Sequence, residues 1–366
     1  MKVLHISAGN MYGGVETLLV TIARRRELCP QMEPSYAVCF DGRLSRELAT
    51  TGVPVYILGA TRVSRPWTVR QSRHRLRKLL SEKRFDVVVC HMPWSHAIFG
   101  PEVKKAGVPL VYWEHGPATG RRWLEAWARR TSPSLAICNS NFTAEAVRLL
   151  FSEVPIKVIY YPIDRPPNSD RVAARSSLGI PQNQIVIVQV SRMEPWKGHP
   201  THLQALALLN DVPDWVCWMV GGAQQTVERQ YFLGLQKQAA RLGIAHRVKF
   251  LGQRSDVSQI LAAADIFCQP NKKPEPFGIV FIEALWAGLP IVATDFGGAS
   301  EIINDSCGRL AVPGDASSVS ALLRTLIESP ALRIAIGQAG PKRAEVLCDP
   351  MMRLKQLCET FVGCIS

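Results

Sequence analysis

Short runs of β-branched and aromatic residues alternate with helix-patterned stretches along this chain, and the alternation is set out twice. The first series predicts strands at Val3 to Ser7, Ala37 to Phe40, Val55 to Leu58, Val87 to Cys90, Leu110 to Trp113, Ala136 to Cys138 and Val158 to Tyr160. The second predicts them at Ile185 to Val190, Val216 to Val220, Lys249 to Leu251, Ile266 to Cys268 and Ile291 to Ala293. Strand, helix, strand is the rhythm of a parallel, doubly wound α/β sheet. Between the series, Pro162, Pro166, Pro167, Asn168, Ser169 and Pro181 mark residues 162–184 as a linker. A chain of 366 residues also exceeds one ordinary core and suits two. Two Rossmann-like domains are expected, 1–165 and 166–345, ahead of a last helix from about Met351 to Cys364.

The ten cysteines include no C-x-x-C and no Cys/His group at zinc spacing, so no metal is expected and the thiols read as reduced and buried, as in a cytosolic protein. Met1 to Ile6 is a short strand pattern rather than a signal peptide, and no run of about 18 apolar residues follows. A cytoplasmic location is expected. The net charge of +13 is uneven, with +11 in residues 1–165 and +2 in the remainder. Such asymmetry points to an anionic partner for the first half: a membrane face, a phosphorylated acceptor or nucleic acid.

Two carboxylates stand in one of the most apolar windows of the second half, Glu275-Pro276-Phe277-Gly278-Ile279-Val280-Phe281-Ile282-Glu283. From Ile279 to Ala287 the only charge is Glu283, and a run apolar on every side is a buried helix. A lone buried carboxylate needs a partner or a ligand. Pro276 and Gly278 break the loop before the helix, leaving free amides near Gly278, Ile279 and Val280 at the positive end of its dipole. Hydroxyls at both ends of a ligand and phosphates at its middle would satisfy this stretch. Plainer readings stand beside it: Glu275 favours a helix start, and Glu283 pairs with a Lys or Arg. For a glycosidase pair, eight helical residues span about 12 Å at ~1.5 Å each, wider than the roughly 5 to 9.5 Å such chemistry uses.

Further motifs sit at predicted strand ends, where open α/β sheets place ligands. After the first strand, Gly9-Asn10-Met11-Tyr12-Gly13-Gly14-Val15-Glu16 is a glycine-rich turn opening a helix. It is not G-x-G-x-x-G, although Asp41 after the second strand could serve as the acidic ribose contact of a dinucleotide fold. Leu110 to Trp113 runs into Glu114-His115-Gly116, and Ala136 to Cys138 into Asn139-Ser140-Asn141, for which helix capping is the simpler explanation. Val186 to Val190 runs into Ser191-Arg192-Met193-Glu194-Pro195-Trp196-Lys197-Gly198, where two cations five residues apart can clamp a diphosphate.

Taken together these motifs resemble the retaining glycosyltransferases of family 4, whose E-x7-E signature matches Glu275 and Glu283 down to the Glu-Pro-Phe-Gly opening. The Arg192 and Lys197 pair and the Gly13-Gly14-x-Glu16 turn match as well, and the resemblance covers nearly the whole chain. It implies the GT-B fold, two Rossmann-like domains facing across a cleft, with residues 346–366 crossing back to the first. It implies that His115, Arg192, Lys197 and Glu275 serve the chemistry. Glu275 would contact donor-sugar hydroxyls, Glu283 the ribose, and the amides after Phe277, at Gly278, Ile279 and Val280, the diphosphate. Gly13 and Gly14 would lie against donor phosphates, and Glu16 near the acceptor or the loop itself. No cofactor beyond a nucleotide-diphosphate sugar is implied, UDP before GDP, and the acceptor would be a glycan, lipid-linked or small molecule. A sugar-nucleotide epimerase or phosphorylase-like enzyme is the alternative on the same fold.

From Arg62 to Arg84 nine basic residues face one acid, with Val69, Leu76, Leu79 and Leu80 in a narrow apolar stripe and Arg70, Arg73 and Arg77 on another face. That is the pattern of an amphipathic helix lying on anionic lipid, or of a plain solvated face. Arg121-Arg122-Trp123 with Trp127 carries the same ambiguity, tryptophans at i and i+4 being more often core. Nucleic acid is set aside, because the basic half lacks the interleaved aromatics of a stacking platform. The expectation is a peripheral enzyme at the inner membrane face, acting on a lipid-linked or anionic glycan precursor.

Overall fold

The computed structural model describes residues 1–167, 169–223 and 226–365; Asn168, placed above in the linker, lies outside the described residues. Internal contacts divide the chain into two units, Met1–Asp164 with Cys348–Ser366, and Arg165–Leu347.

The first unit holds strands β1 (Lys2–Ser7), β2 (Glu33–Val38), β3 (Val55–Ile57), β4 (Val87–His91), β5 (Leu110–Glu114), β6 (Leu135–Cys138) and β7 (Ile156–Val158). They form one sheet in the order β3-β2-β1-β4-β5-β6-β7, every pairing parallel. All residues of β4, β5 and β6 are buried, as expected of strands covered on both faces, whose sequences run apolar without alternating. The order reverses between β1 and β4, so their carboxyl ends flank the switch point at which such sheets take ligands. Two strands differ from expectation. The last ladder pairs Ala136↔Ile156 through Cys138↔Val158, which leaves Tyr160 and Tyr161 beyond β7. The second strand starts early, at Glu33, because β3 joins only from Tyr36 onward and Pro34 sits where that side needs no donor.

The second unit holds β8 (Ile185–Val190), β9 (Trp215–Val220), β10 (Val248–Gly252), β11 (Ile266–Gln269), β12 (Ile291–Thr294) and β13 (Gly308–Ala311), in the order β10-β9-β8-β11-β12-β13, again all parallel. Strand β13 is absent from the sequence reading, since Gly308-Arg309-Leu310-Ala311 has no β-branched residue; its partner β12 supplies the ladder, Ile291↔Gly308 to Thr294↔Ala311. The switch point lies between β8 and β11.

The expected linker is not featureless. Asp170 caps a helix at Arg171–Ser177 by accepting from Val172 N and Ala173 N. Its Arg175 is fully buried, donating to Ala263 O at 2.9 Å, Pro181 O at 2.7 Å and Asp265 Oδ2 at 3.1 Å. At the other end, the helix Pro350–Ile365 packs within the first unit through Leu354, Leu357, Cys358 and Phe361. Ile163 N donates to Cys348 O at 3.0 Å and Gln356 Nε2 to Val158 O at 3.3 Å.

Candidate functional site

In the second unit the chain leaves β8 with Gln189 fully buried. Its amide nitrogen donates to Lys197 O at 2.8 Å and its amide oxygen bonds His202 Nδ1 at 2.8 Å, which draws the Ser191-to-Gly198 loop down over the strand end. The Lys197 ammonium then reaches Glu275 Oε2 at 2.6 Å, and Asn271 Nδ2 donates to the same oxygen at 3.0 Å. Both side chains of this pair are 11% exposed. Charges that far from water persist only when matched in this way. The indole of Trp196 covers the ammonium at 3.9 Å. Glu275 is itself anchored by its backbone, which bridges Gly297 and accepts from Gly298 N at 2.6 Å. Its other carboxylate oxygen, Oε1, has no hydrogen bond among the described residues. Arg192 lies on the same loop but apart from the buried pair, 47% exposed and bonded to Glu194 at 3.1 Å.

Beyond Glu275, Phe277 is buried and Gly278 turns the chain into the helix Ile279–Trp286. Gly278 has φ +101°, and a Cβ there would stand 2.4 Å from the Phe281 ring, so no other residue fits without displacement. The kink means that Glu275 and Glu283 do not share one straight helix, and the helical spacing used against a glycosidase pair does not apply. Ile279 and Val280 occupy the first turn, whose amides have no intrahelical acceptor. Buried Phe281, Ile282, Ala284 and Leu285 surround Glu283, which is half-buried by surface area yet largely enclosed by protein. No side-chain partner reaches it among the described residues, which removes the plainer reading of a Lys or Arg pair. Desolvation pushes its carboxyl up to about 7.

In the first unit Gly13 caps the helix Gly14–Arg24, its amide donating to Glu16 Oε2 at 2.9 Å; Glu16 thus holds the loop itself. Asp41 accepts from Ser45 Oγ at 2.5 Å. His115 is buried at the end of β5 with both ring nitrogens engaged, Nε2 with His91 Nδ1 at 2.8 Å and Nδ1 with the Tyr161 hydroxyl at 2.6 Å. His91 Nε2 in turn meets His5 Nδ1 at 3.0 Å. Burial holds His5 and His115 at about 3 and, with its two imidazole neighbours, lowers His91 well below the ordinary histidine range, so all three are neutral at pH 7. Glu114 accepts from Tyr112 and from the amides of His115 and Gly116, and burial still pushes its carboxyl up to about 7. Sequence reasoning missed His5 and His91. The available signal was a polar residue inside or closing a strand run buried on both faces. Ser140, as its sequence suggests, caps the next helix by accepting from Thr143 N at 3.0 Å.

The basic stretch forms the helix Pro66–Glu82, but not all its charge faces outward. Arg73 donates to Ile98 O at 2.7 Å, and Arg73 and Arg77 lie 3.9 and 3.6 Å from the buried carboxylate of Glu102. Trp123 contradicts the core expectation: it is 64% exposed, because its short helix turns Glu125 inward to accept from Thr119 N and Arg122 N. Among the described residues no helix is long and apolar enough to cross a membrane.

The family model for glycosyltransferase family 4 matches residues 12–165, and that for glycosyl transferases group 1 matches residues 170–343. A D-inositol 3-phosphate glycosyltransferase of Streptomyces avermitilis is 30% identical over 71% of this chain and 62% of its own length. The aligned stretch thus spans under two thirds of that relative. A phosphatidyl-myo-inositol mannosyltransferase of Mycobacterium leprae is 27% identical over 78% of this chain and 77% of its own. Among solved structures, Anabaena Alr3699/HepE in complex with UDP is 28% identical with a TM-score of 0.87, covering 99% of this chain and 100% of that one; the same protein has been solved with UDP-glucose.

Proposed function

The chain belongs to the family 4 glycosyltransferases of GT-B fold, and from that premise we propose that it transfers a hexosyl or N-acetylhexosaminyl group, with retention, from a nucleotide-diphosphate sugar to a glycan or lipid-linked acceptor. The observation that carries this reading is the buried Lys197–Glu275 pair at the switch point of the second sheet. Glu275 Oε2 is occupied by Lys197 and Asn271, so Oε1 is the oxygen left to accept from sugar hydroxyls. Breaking the bond from anomeric carbon to phosphate leaves charge on the diphosphate. Arg192, Lys197 and the amides of Ile279 and Val280 are the groups that would meet it. The unpartnered Glu283 would accept from the ribose hydroxyls, which favours its ionised form and draws its pKa back down from about 7.

UDP is the donor nucleotide we favour, supported by the Anabaena complexes. An anionic acceptor, or an anionic membrane bearing it, suits the exposed Arg70, Lys78 and Trp67 of the Pro66–Glu82 helix. Thermal-shift screening against nucleotide sugars, followed by transfer assays, tests the assignment. Lys197→Ala is expected to lower turnover on the order of 10²–10³-fold; unchanged turnover would sink the assignment, and interconversion of sugar nucleotides without acceptor would replace it by an epimerase.

A further inference from the structure

The hydrogen-bonded line His5–His91–His115–Tyr161 is built from β1, β4 and the segments that follow β5 and β7, and of its members His115 alone has been given a role. Its rings are also stacked: His91 lies 5.1 Å from His115 and 5.3 Å from Trp113, and Trp113 lies 5.4 Å from His115. Asn139 Nδ2 closes the outer end, donating to Tyr161 Oη at 3.1 Å and to His115 O at 3.3 Å. Next to His91, Met92 holds φ +71°, a region non-glycine residues rarely occupy. At the inner end His5 Nε2 is buried with no hydrogen-bond partner among the described residues.

A row of neutral imidazoles, each with one N–H, has only two self-consistent polarities. In one, Tyr161 donates to His115 and every ring donates inward from Nε2, leaving a buried N–H on His5 with no acceptor. In the other, every ring donates outward from Nδ1, leaving only a lone pair unmatched on His5 and freeing the Tyr161 proton. Orphaned buried N–H groups are the rarer of the two. Burial raises the Tyr161 hydroxyl, with the Glu16 and Glu114 carboxylates adding to it, so the phenol keeps its proton. Because the inner end is closed, the line conducts no proton through the unit. It orients.

We propose that His5, His91 and Tyr161 are positioning residues for His115, fixing its ring plane and holding its proton on Nδ1. Nε2 is backed by two further rings, so a ligand hydroxyl would meet His115 on the Nδ1 side, beside Tyr161. This rests on the transferase reading for its consequence but not for its geometry.

The test is long-range proton–nitrogen NMR of the full chain with labelled histidine at pH 7, alongside steady-state kinetics on whichever nucleotide sugar is turned over. The expected result is the Nδ1–H tautomer at His5, His91 and His115 in wild type, the form a free histidine disfavours. In His91→Phe, which keeps the stack and removes the hydrogen bonds, the ring of His115 loses its partner at Nε2 and is expected to lose its fixed plane, seen as a shifted or broadened signal, with kcat falling on the order of 10²-fold and donor KM little changed. Tyr161→Phe serves as the second variant should His91→Phe fail to fold, with the signal of the fully buried His96, whose Nε2 lies 2.7 Å from Thr131 O, reporting an intact unit. Nε2–H at His115 in wild type, or a wild-type kcat in both variants, overturns the proposal. A wild type that turns over no nucleotide sugar defeats the transferase reading alone, and the tautomer pattern still decides this one.

Discussion

Both units place polar side chains at the carboxyl ends of buried parallel strands, and they do so with opposite chemistry. The first uses neutral groups: three imidazoles that burial keeps from protonating at pH 7, and a phenol, which is neutral there in any setting. The second uses full charges, Lys197 against Glu275 there, and Arg175 against Asp265 at the opposite, amino end of β8 and β11. Neutral rings avoid the desolvation cost of an ion and gain direction, since each has one donor and one acceptor. An ion pair carries that cost and gains little stability over an apolar pair of the same size. Its retention makes sense where a ligand brings charge of its own, which is what a diphosphate does. The Arg175–Asp265 pair has no such excuse on its surface, and it marks the helix Arg171–Ser177 as structural.

Breaking the charged side should cost more than breaking the neutral one. Arg175→Leu leaves Asp265 to Arg171 and strips the donor from the carbonyls of Ala263, Pro181 and Gln184, and is expected to lower stability by about 3–5 kcal/mol, at roughly 1–3 kcal/mol per buried group left unmatched, in urea unfolding followed by fluorescence. His91→Phe unpairs two neutral neighbours and should lower it by about 1–3 kcal/mol; a loss exceeding that of Arg175→Leu would reverse the comparison. Acidity separates the units further. Histidines neutral in the fold but basic when unfolded contribute stability above pH 6.5 that is lost as pH falls toward about 3. Glu283 has the opposite sign: protonated in the fold, it contributes fully below 4.5 and loses that contribution as pH rises through about 7. Glu283→Gln should therefore remove about 1–2 kcal/mol of the decline between pH 5 and 8, a figure discounted for partial exposure, as read from melting temperature against pH without donor. The smallest effect belongs to the surface: Arg70→Gln with Lys78→Gln should change stability by less than about 0.5 kcal/mol while abolishing salt-sensitive flotation with anionic liposomes. Equal flotation of variant and wild type removes the membrane contact.

What the sequence made legible follows the distance over which each feature is written. Arg192 and Lys197 are five residues apart and Glu275 and Glu283 eight, so a local motif announces each. The contacts that organise them are 78 residues apart for Lys197 and Glu275, 90 for Arg175 and Asp265, and 86 for His5 and His91. No window of sequence contains those pairs. Trp123 was misjudged for a related reason: spacing shows which residues share a face, and the buried hydrogen bonds of Glu125 decide which face turns inward. Strand β13 was invisible because its neighbour, rather than its own composition, makes it a strand.

The terminal helix Pro350–Ile365 belongs to the unit with which the chain begins. During synthesis, the second unit has all its own residues once Leu347 has emerged, while the first has been waiting since Asp164 for a segment nearly two hundred residues downstream. Until that segment arrives, Phe361 is missing from beside His5, the buried Leu354, Leu357 and Cys358 are missing with it, and the first core stays open. The unit written first is the one completed last, and a nascent chain stalled after Leu347 would carry one finished fold and one still open to chaperones.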